Sequence, residues 1–265
     1  MDRAFDITKH AGDIVCGADT ALPQATAPGM RVTYLGHSGF LAETAHARLL
    51  FDYIRGTLPE TGDGKPLFVF ASHFHADHFC PAIFDAPLAA HVTRYVLSSD
   101  IRKKRGRVLK ALPEETRAKI VFVKPDETLD LGACRIATLG STDEGVAFTA
   151  EADGLRLYHA GDLNNWYWAE EDPAWNADMA RRYTAELKKI AGQSFDAAFV
   201  PVDPRLGDAY GLGLREFLST VRAKHVFPMH FWKKPQVIAR YKKEHAVPEG
   251  TAIHDITKED ETHEL

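Results

Sequence analysis

The stretch His73-Phe74-His75-Ala76-Asp77-His78 follows an apolar run, Leu67-Phe68-Val69-Phe70-Ala71, and decides how the rest of the chain is read. The apolar run is short and bounded by polar residues, which predicts a buried strand. A loop leaving such a strand can aim neighbouring side chains at a common point. This one carries three imidazoles and a carboxylate within six residues. Neutral imidazole and ionised carboxylate suit zinc, iron or manganese. So dense a cluster favours a metal site over ordinary polar loop residues, the reading kept for the isolated His10, His46 and His91. A two-metal hydrolytic site is the leading expectation.

Upstream of the cluster, residues 31–35, 40–44 and 48–51 read as strands joined by short turns. Downstream, 92–97 and 120–123 are further strands. The polar stretch between them contains Arg102, Lys103, Lys104, Arg105, Arg107 and Lys110 and reads as a solvated loop or helix face. Residues 135–139, 146–151 and 155–159 are three more strands, the last two joined by an Asp153-Gly154 turn. Asp172 can cap a helix with Pro173 at its first position. Trp175, Met179, Tyr183, Leu187 and Ile190 then form one apolar stripe ending before Gly192. Strand 197–200, helix 214–224, strand 226–229, helix 236–244 and a short strand at 252–256 complete the pattern. With no Pro/Gly/Ser linker to divide it, residues 30–265 read as one α/β domain of two sheets sandwiched between helices, preceded by a surface arm, residues 1–29.

At 265 residues and 45% hydrophobic content the chain can bury a sizeable core. A net charge of -5 and a pI near 6.2 give no broad basic field, so neither nucleic acid nor an anionic membrane is an expected partner. A small-molecule substrate is expected instead, with homo-oligomer formation left open. Cys16, Cys80 and Cys134 lie far apart and imply no disulfide framework. The sequence starts without a basic segment leading into an apolar core, and no apolar run approaches the roughly 18 residues of a membrane span, so a cytoplasmic location is expected.

Two later strands end in groups that can complete the cluster: 155–159 runs into Ala160-Gly161-Asp162, and 226–229 into His230. Adjacent strand ends converge on one rim of a layered fold. Here the sequence resembles the metallo-β-lactamase fold superfamily. His73, His75, Asp77 and His78 match its His-x-His-x-Asp-His loop, and Leu50-Phe51-Asp52 looks like its first motif. His159-Ala160-Gly161-Asp162 looks like its bridging-aspartate motif and Pro228-Met229-His230 like its final histidine motif. Gly36-His37-Ser38-Gly39-Phe40 is similar to the opening of lactonase-like and phosphoesterase-like bacterial members.

The resemblance implies a four-layered αββα sandwich and a binuclear centre, with two zinc ions as the first expectation and manganese or iron as alternatives. It implies that His73 and His75 hold one metal, that Asp77, His78 and His230 hold the other, and that Asp162 bridges them. Asp77 would also shuttle a proton to the leaving group. Asp52 is read as ordering the site, by accepting a hydrogen bond from a ligand histidine or from the loop backbone, or else as a turn cap. His37 and His159 are pocket candidates or satisfied half-buried histidines.

The pattern breaks at one place. The superfamily's third histidine for the first metal belongs between Arg135 and Val146, where this chain reads Thr138-Leu139-Gly140-Ser141-Thr142-Asp143-Glu144-Gly145. Asp143 is the chosen substitute, with Ser141, Glu144 or water as alternatives. Two histidines and Asp162 also suit non-haem iron, so an iron-dependent oxidoreductase is the second reading and a non-catalytic metal-binding module the third. Trp166, in an aromatic run after Asp162, reads as substrate wall or packing. Arg205 reads as a clamp for a carboxylate or phosphate, or as a partner of Asp203. The expected function is a metal-dependent hydrolase of an ester, lactone, amide or phosphoester bond in a small molecule.

Overall fold

Short strands, the central ones apolar and buried on both faces, build two seven-stranded sheets in the computed structural model, which describes residues 29–58, 63–86 and 88–265. Apart from Gly29, the expected N-terminal arm lies outside the described residues. The first sheet contains β1 (Arg31–Gly36), β2 (Gly39–Glu43), β3 (Arg48–Phe51), β4 (Leu67–Ala71), β5 (Val92–Ser98) and β6 (Ile120–Val123) in sequential order, with β14 (Glu261–Glu264) on the free edge of β1. The second runs through β7 (Thr128–Asp130), β8 (Arg135–Gly140), β9 (Val146–Ala152), β10 (Leu155–His159), β11 (Ser194–Pro201), β12 (Arg222–Met229) and β13 (Ala252–Ile253). Each sheet is antiparallel over one half and parallel over the other, and helices make the connections between β4, β5 and β6 and between β10, β11, β12 and β13.

The period of two assigns the layers. Leu49, Phe51, Phe68 and Phe70 face the second sheet, whereas Leu50, Leu67, Val69 and Ala71 pack against Ile101 and Leu109 of the helices Ser99–Lys104 and Gly106–Ala111. Between the sheets, Phe40 meets Phe199 at 4.5 Å, Phe70 meets Phe148 at 5.3 Å and Phe51 meets Phe199 at 5.9 Å between ring centroids. Each buried ring contributes roughly 1.5–3 kcal/mol. On the outer face of the second sheet, Tyr158 stacks on Phe217 of the helix Leu212–Thr220 at 4.7 Å, and Tyr183 of the helix Pro173–Lys188 donates to the Gly213 carbonyl. Helices thus cover both outer faces, giving the four-layered αββα sandwich. No helix among the described residues is long and apolar enough to cross a membrane.

Several local expectations change. The helix read at 214–224 spans Leu212–Thr220, because parallel pairing of Ser194 with Arg222 and Phe195 with Ala223 draws the following residues into β12. β7 and β14 are too polar to signal themselves. β14 is specified by its neighbour, with Thr262 opposite Thr33 and their hydroxyls 2.9 Å apart. The strand read at 252–256 ends at Ile253. Asp172 accepts from the Ala174 amide at 2.7 Å, but Trp175 leaves the buried stripe and is 40% exposed. The basic stretch forms short helices, and Arg105 uses its guanidinium to grip the Phe74 carbonyl in the loop after β4.

Candidate metal centre

The loop after β4 is fixed before any ligand is considered. Asp52, fully buried just beyond β3, accepts from the Ser72 amide, the Ser72 hydroxyl and His78 Nδ1, each at 2.7 Å. Both ordering contacts considered for Asp52 are therefore present together. From the second sheet, Val146 N–H donates to the Ser72 carbonyl, and Gly145 and Gly161 come up against the same residue. A Cβ on Gly145 would lie 2.0 Å from Ser72 O, and one on Gly161 would lie 2.6 Å from Ser72 Cβ, so only glycine permits the approach. Asp100 accepts from the Phe74 amide at 3.1 Å on the other side.

So held, the loop meets the ends of β10 and β12. Two groups of ligand atoms form, each within 4.8 Å: His73, His75, Asp143 and Asp162, and His37, Asp77, His78 and His230. Asp162 stands between them. Its Oδ1 lies 3.2 Å from His78 Nε2 and 3.4 Å from His230 Nε2, while its Oδ2 lies 3.5 Å from His73 Nε2. Asp143, the expected substitute for the missing histidine, brings Oδ2 to 3.6 Å from His75 Nδ1. Buried His37 Nε2, His78 Nε2 and Asp162 Oδ1 have no hydrogen-bond partner, although buried polar atoms normally find one. Convergent, unsatisfied imidazole and carboxylate atoms are what divalent cations require, so the residues fit such ions.

The electrostatics agree with that fit. Burial opposes charge on His78, yet the Asp162 and Asp52 carboxylates at its two nitrogens raise its pKa well above the ordinary histidine range. Burial drives His73 down to about 3. Burial also disfavours the Asp162 carboxylate, but His78 and His230 hold it ionised and well below its usual pKa. The backbone is strained here too. His37, Asp52 and His230 adopt φ of 51°, 41° and 62°, in the left-handed region that costs non-glycine residues roughly 1–2 kcal/mol each.

Three residues take places that the sequence did not reveal. His37, left as a pocket candidate, joins the second group. Its carbonyl accepts from the His230 amide, and its Nε2 lies 3.3 Å from Asp77 Oδ2. Asp203 is bound bidentately by Arg205, but it also accepts from His230 Nδ1 at 2.8 Å. Arg205 is therefore a partner of Asp203 rather than a free clamp. Arg182, unremarked in the sequence, lines the cleft above the two groups. Trp166 also lines the cleft, and its Nε1 donates to the Asp162 carbonyl, so it both packs and forms wall. His159 is a satisfied core histidine, stacked on Phe51 and bonded to the Ser38 carbonyl.

The fold and this arrangement define a class. Residues 31–230 match the model of the beta-lactamase superfamily domain, and the chain belongs to that superfamily. A UPF0173 metal-dependent hydrolase of Opitutus terrae is 30% identical over 223 residues, spanning 78% of this chain and 87% of the relative, which puts the chain among the UPF0173 metal-dependent hydrolases. Igni18, a metallo hydrolase of Ignicoccus hospitalis, shares the fold with a TM-score of 0.59 at 16% identity, over 89% of this chain and 98% of its own. CmlA, a diiron β-hydroxylase of Streptomyces venezuelae, does so with a TM-score of 0.54 at 14% identity, over 92% of this chain and 55% of its own. Likeness of this kind establishes fold and leaves the reaction to the site.

Proposed function

We propose that the chain is a binuclear metallo-hydrolase that cleaves an ester, lactone, amide or phosphoester bond of a small molecule. The observation that carries this reading is Asp162, whose two oxygens face two separate groups of ligand atoms. When bound, a pair of divalent cations, zinc first and manganese or iron as alternatives, supplies an acidified water and a polarised substrate oxygen.

The chain's own residues arrange the rest. Asp52 and Asp203 accept hydrogen bonds from the Nδ1–H groups of His78 and His230, which keeps the proton on Nδ1 and would leave Nε2 of each ring to act as a ligand. Burial works against the charge on Asp77, but His37 and His78 hold its carboxylate ionised below the usual range, so at neutral pH it stands as a hydrogen-bond acceptor for the attacking water and would relay that water's proton to the leaving group.

The test is elemental analysis of protein purified without chelators or added metal, with His75→Ala and Asp162→Ala alongside. Two zinc or manganese ions per chain, with less metal and no turnover in folded variants, support the reading. Full turnover in either variant removes those residues from the machinery. Predominant iron with metal-linked oxygen consumption would replace hydrolysis with oxidation.

A further inference from the structure

All four tryptophans of the chain, Trp166, Trp168, Trp175 and Trp232, line one cleft of about 400 Å³, with the His/Asp groups as its floor. Core packing does not account for them all, since Trp175 and Trp232 are 40% and 42% exposed. Clustered, solvent-facing indole surface beside convergent polar groups is the composition of a ligand site. The wall is also built to stay in place. Asn176 donates to the Trp168 carbonyl at 2.7 Å and accepts from the Trp168 amide at 3.0 Å, tying the Trp166–Trp168 segment to the helix that carries Trp175.

The cleft's two guanidinium groups are not equivalent. Arg205 is neutralised by the buried Asp203 and lies 4.4 Å from the Trp232 ring centroid and 5.6 Å from that of Trp168. Arg182, two turns along the helix from Trp175, donates only to the Ser141 and Thr142 carbonyls among the described residues. Its positive charge meets no carboxylate there, and it lines the cleft. A fixed guanidinium with donors to spare is a receptor for a carboxylate or phosphate.

We infer that this cleft takes a substrate with a flat apolar body and one anionic group, the body packing on the indoles and the anion bound by Arg182, so that the bond to be cut lies over the floor. The inference rests on the hydrolase reading for what happens to that bond, but not for binding. The anion is a carboxylate or a phosphate, both of which match the guanidinium fork.

The test is calorimetric titration of the protein as purified, its metal counted, with 2-naphthoate, 2-naphthylphosphonate, the neutral 2-naphthamide and the non-aromatic hexanoate. One of the two naphthyl anions should bind at least about tenfold more tightly than the amide and than hexanoate, and which one it is identifies the anion. Arg182→Gln, on an exposed side chain, should remove most of the preference for charge. Trp175→Ala should weaken the naphthyl ligands about three- to tenfold and leave hexanoate unchanged.

Equal binding of charged and neutral ligands would overturn the inference. So would a charge preference that survives Arg182→Gln, because the anion would then be read by the floor, or hexanoate binding as tightly as the naphthyl anions. Selective binding by protein that takes up no metal when zinc or manganese is supplied would keep this inference and remove the hydrolase reading, whereas metal-loaded protein indifferent to the probes would do the reverse.

Discussion

Asp203 stands behind His230 as Asp52 stands behind His78, each accepting a hydrogen bond from Nδ1–H and turning Nε2 toward Asp162. Replacing Asp203 by Asn keeps the shape but loses the charge that orients His230. Metal affinity in the His37/Asp77/His78/His230 group should fall about 10- to 100-fold, measured by titration against a competing chelator. An unchanged affinity would reduce Asp203 to a partner of Arg205. Asp52→Ala removes an acceptor shared by three buried donors, leaves the Ser72 amide unpaired and leaves the Ser72 hydroxyl and His78 Nδ1 with only longer contacts of 3.0–3.4 Å. It should lower the stability of metal-free protein by about 3–5 kcal/mol in urea denaturation. A loss under about 1 kcal/mol would mean that water takes the carboxylate's place at little cost.

The prediction that belongs to the elements concerns the edge formed by β12, β13 and β14. His254 follows β13, stacks on Phe227 of β12 at 4.3 Å and lies 5.0 Å from His263 of β14, while His225 Nδ1 comes within 2.9 Å of its Nε2. Burial, reinforced by the neighbouring His263 and His225, lowers its pKa to about 4. The unfolded chain takes up that proton near pH 6.5, whereas the folded chain resists until about pH 4, so the unfolded state binds more protons between the two values. Stability should therefore fall as pH drops from about 6.5 to 4, by roughly 1–3 kcal/mol from this residue. Urea midpoints at pH 7 and 4.5 check it, and His254→Phe should flatten the slope. An unchanged slope in that variant would assign the acid sensitivity elsewhere.

At the scale of the whole molecule, ligands on the first sheet's loop meet ligands on the ends of β10 and β12, so bound metal should join the sheets. Chelation should lower the melting temperature by about 10 °C, which corresponds to a few kcal/mol of linked binding energy. An unchanged melting temperature would mean that the cations are not bound under those conditions. The motif loop, Asp162 and His230 were legible in the sequence because ligand-type residues sit where apolar runs stop. His37 was not, since its place depends on a left-handed turn that meets the end of β12, and Asp203 disclosed its salt bridge but not its second partner. Trp175 was misread because helical spacing puts it in line with Met179 and Tyr183, although at that end the helix lines the cleft. The same helix divides labour within the molecule. The floor is locked by cross-sheet contacts around Ser72 that tolerate almost no substitution, while the wall hangs on a helix face and two loops. Side chains on that face can therefore be exchanged, by natural selection or in the laboratory, without disturbing the packing that holds the His/Asp groups in register.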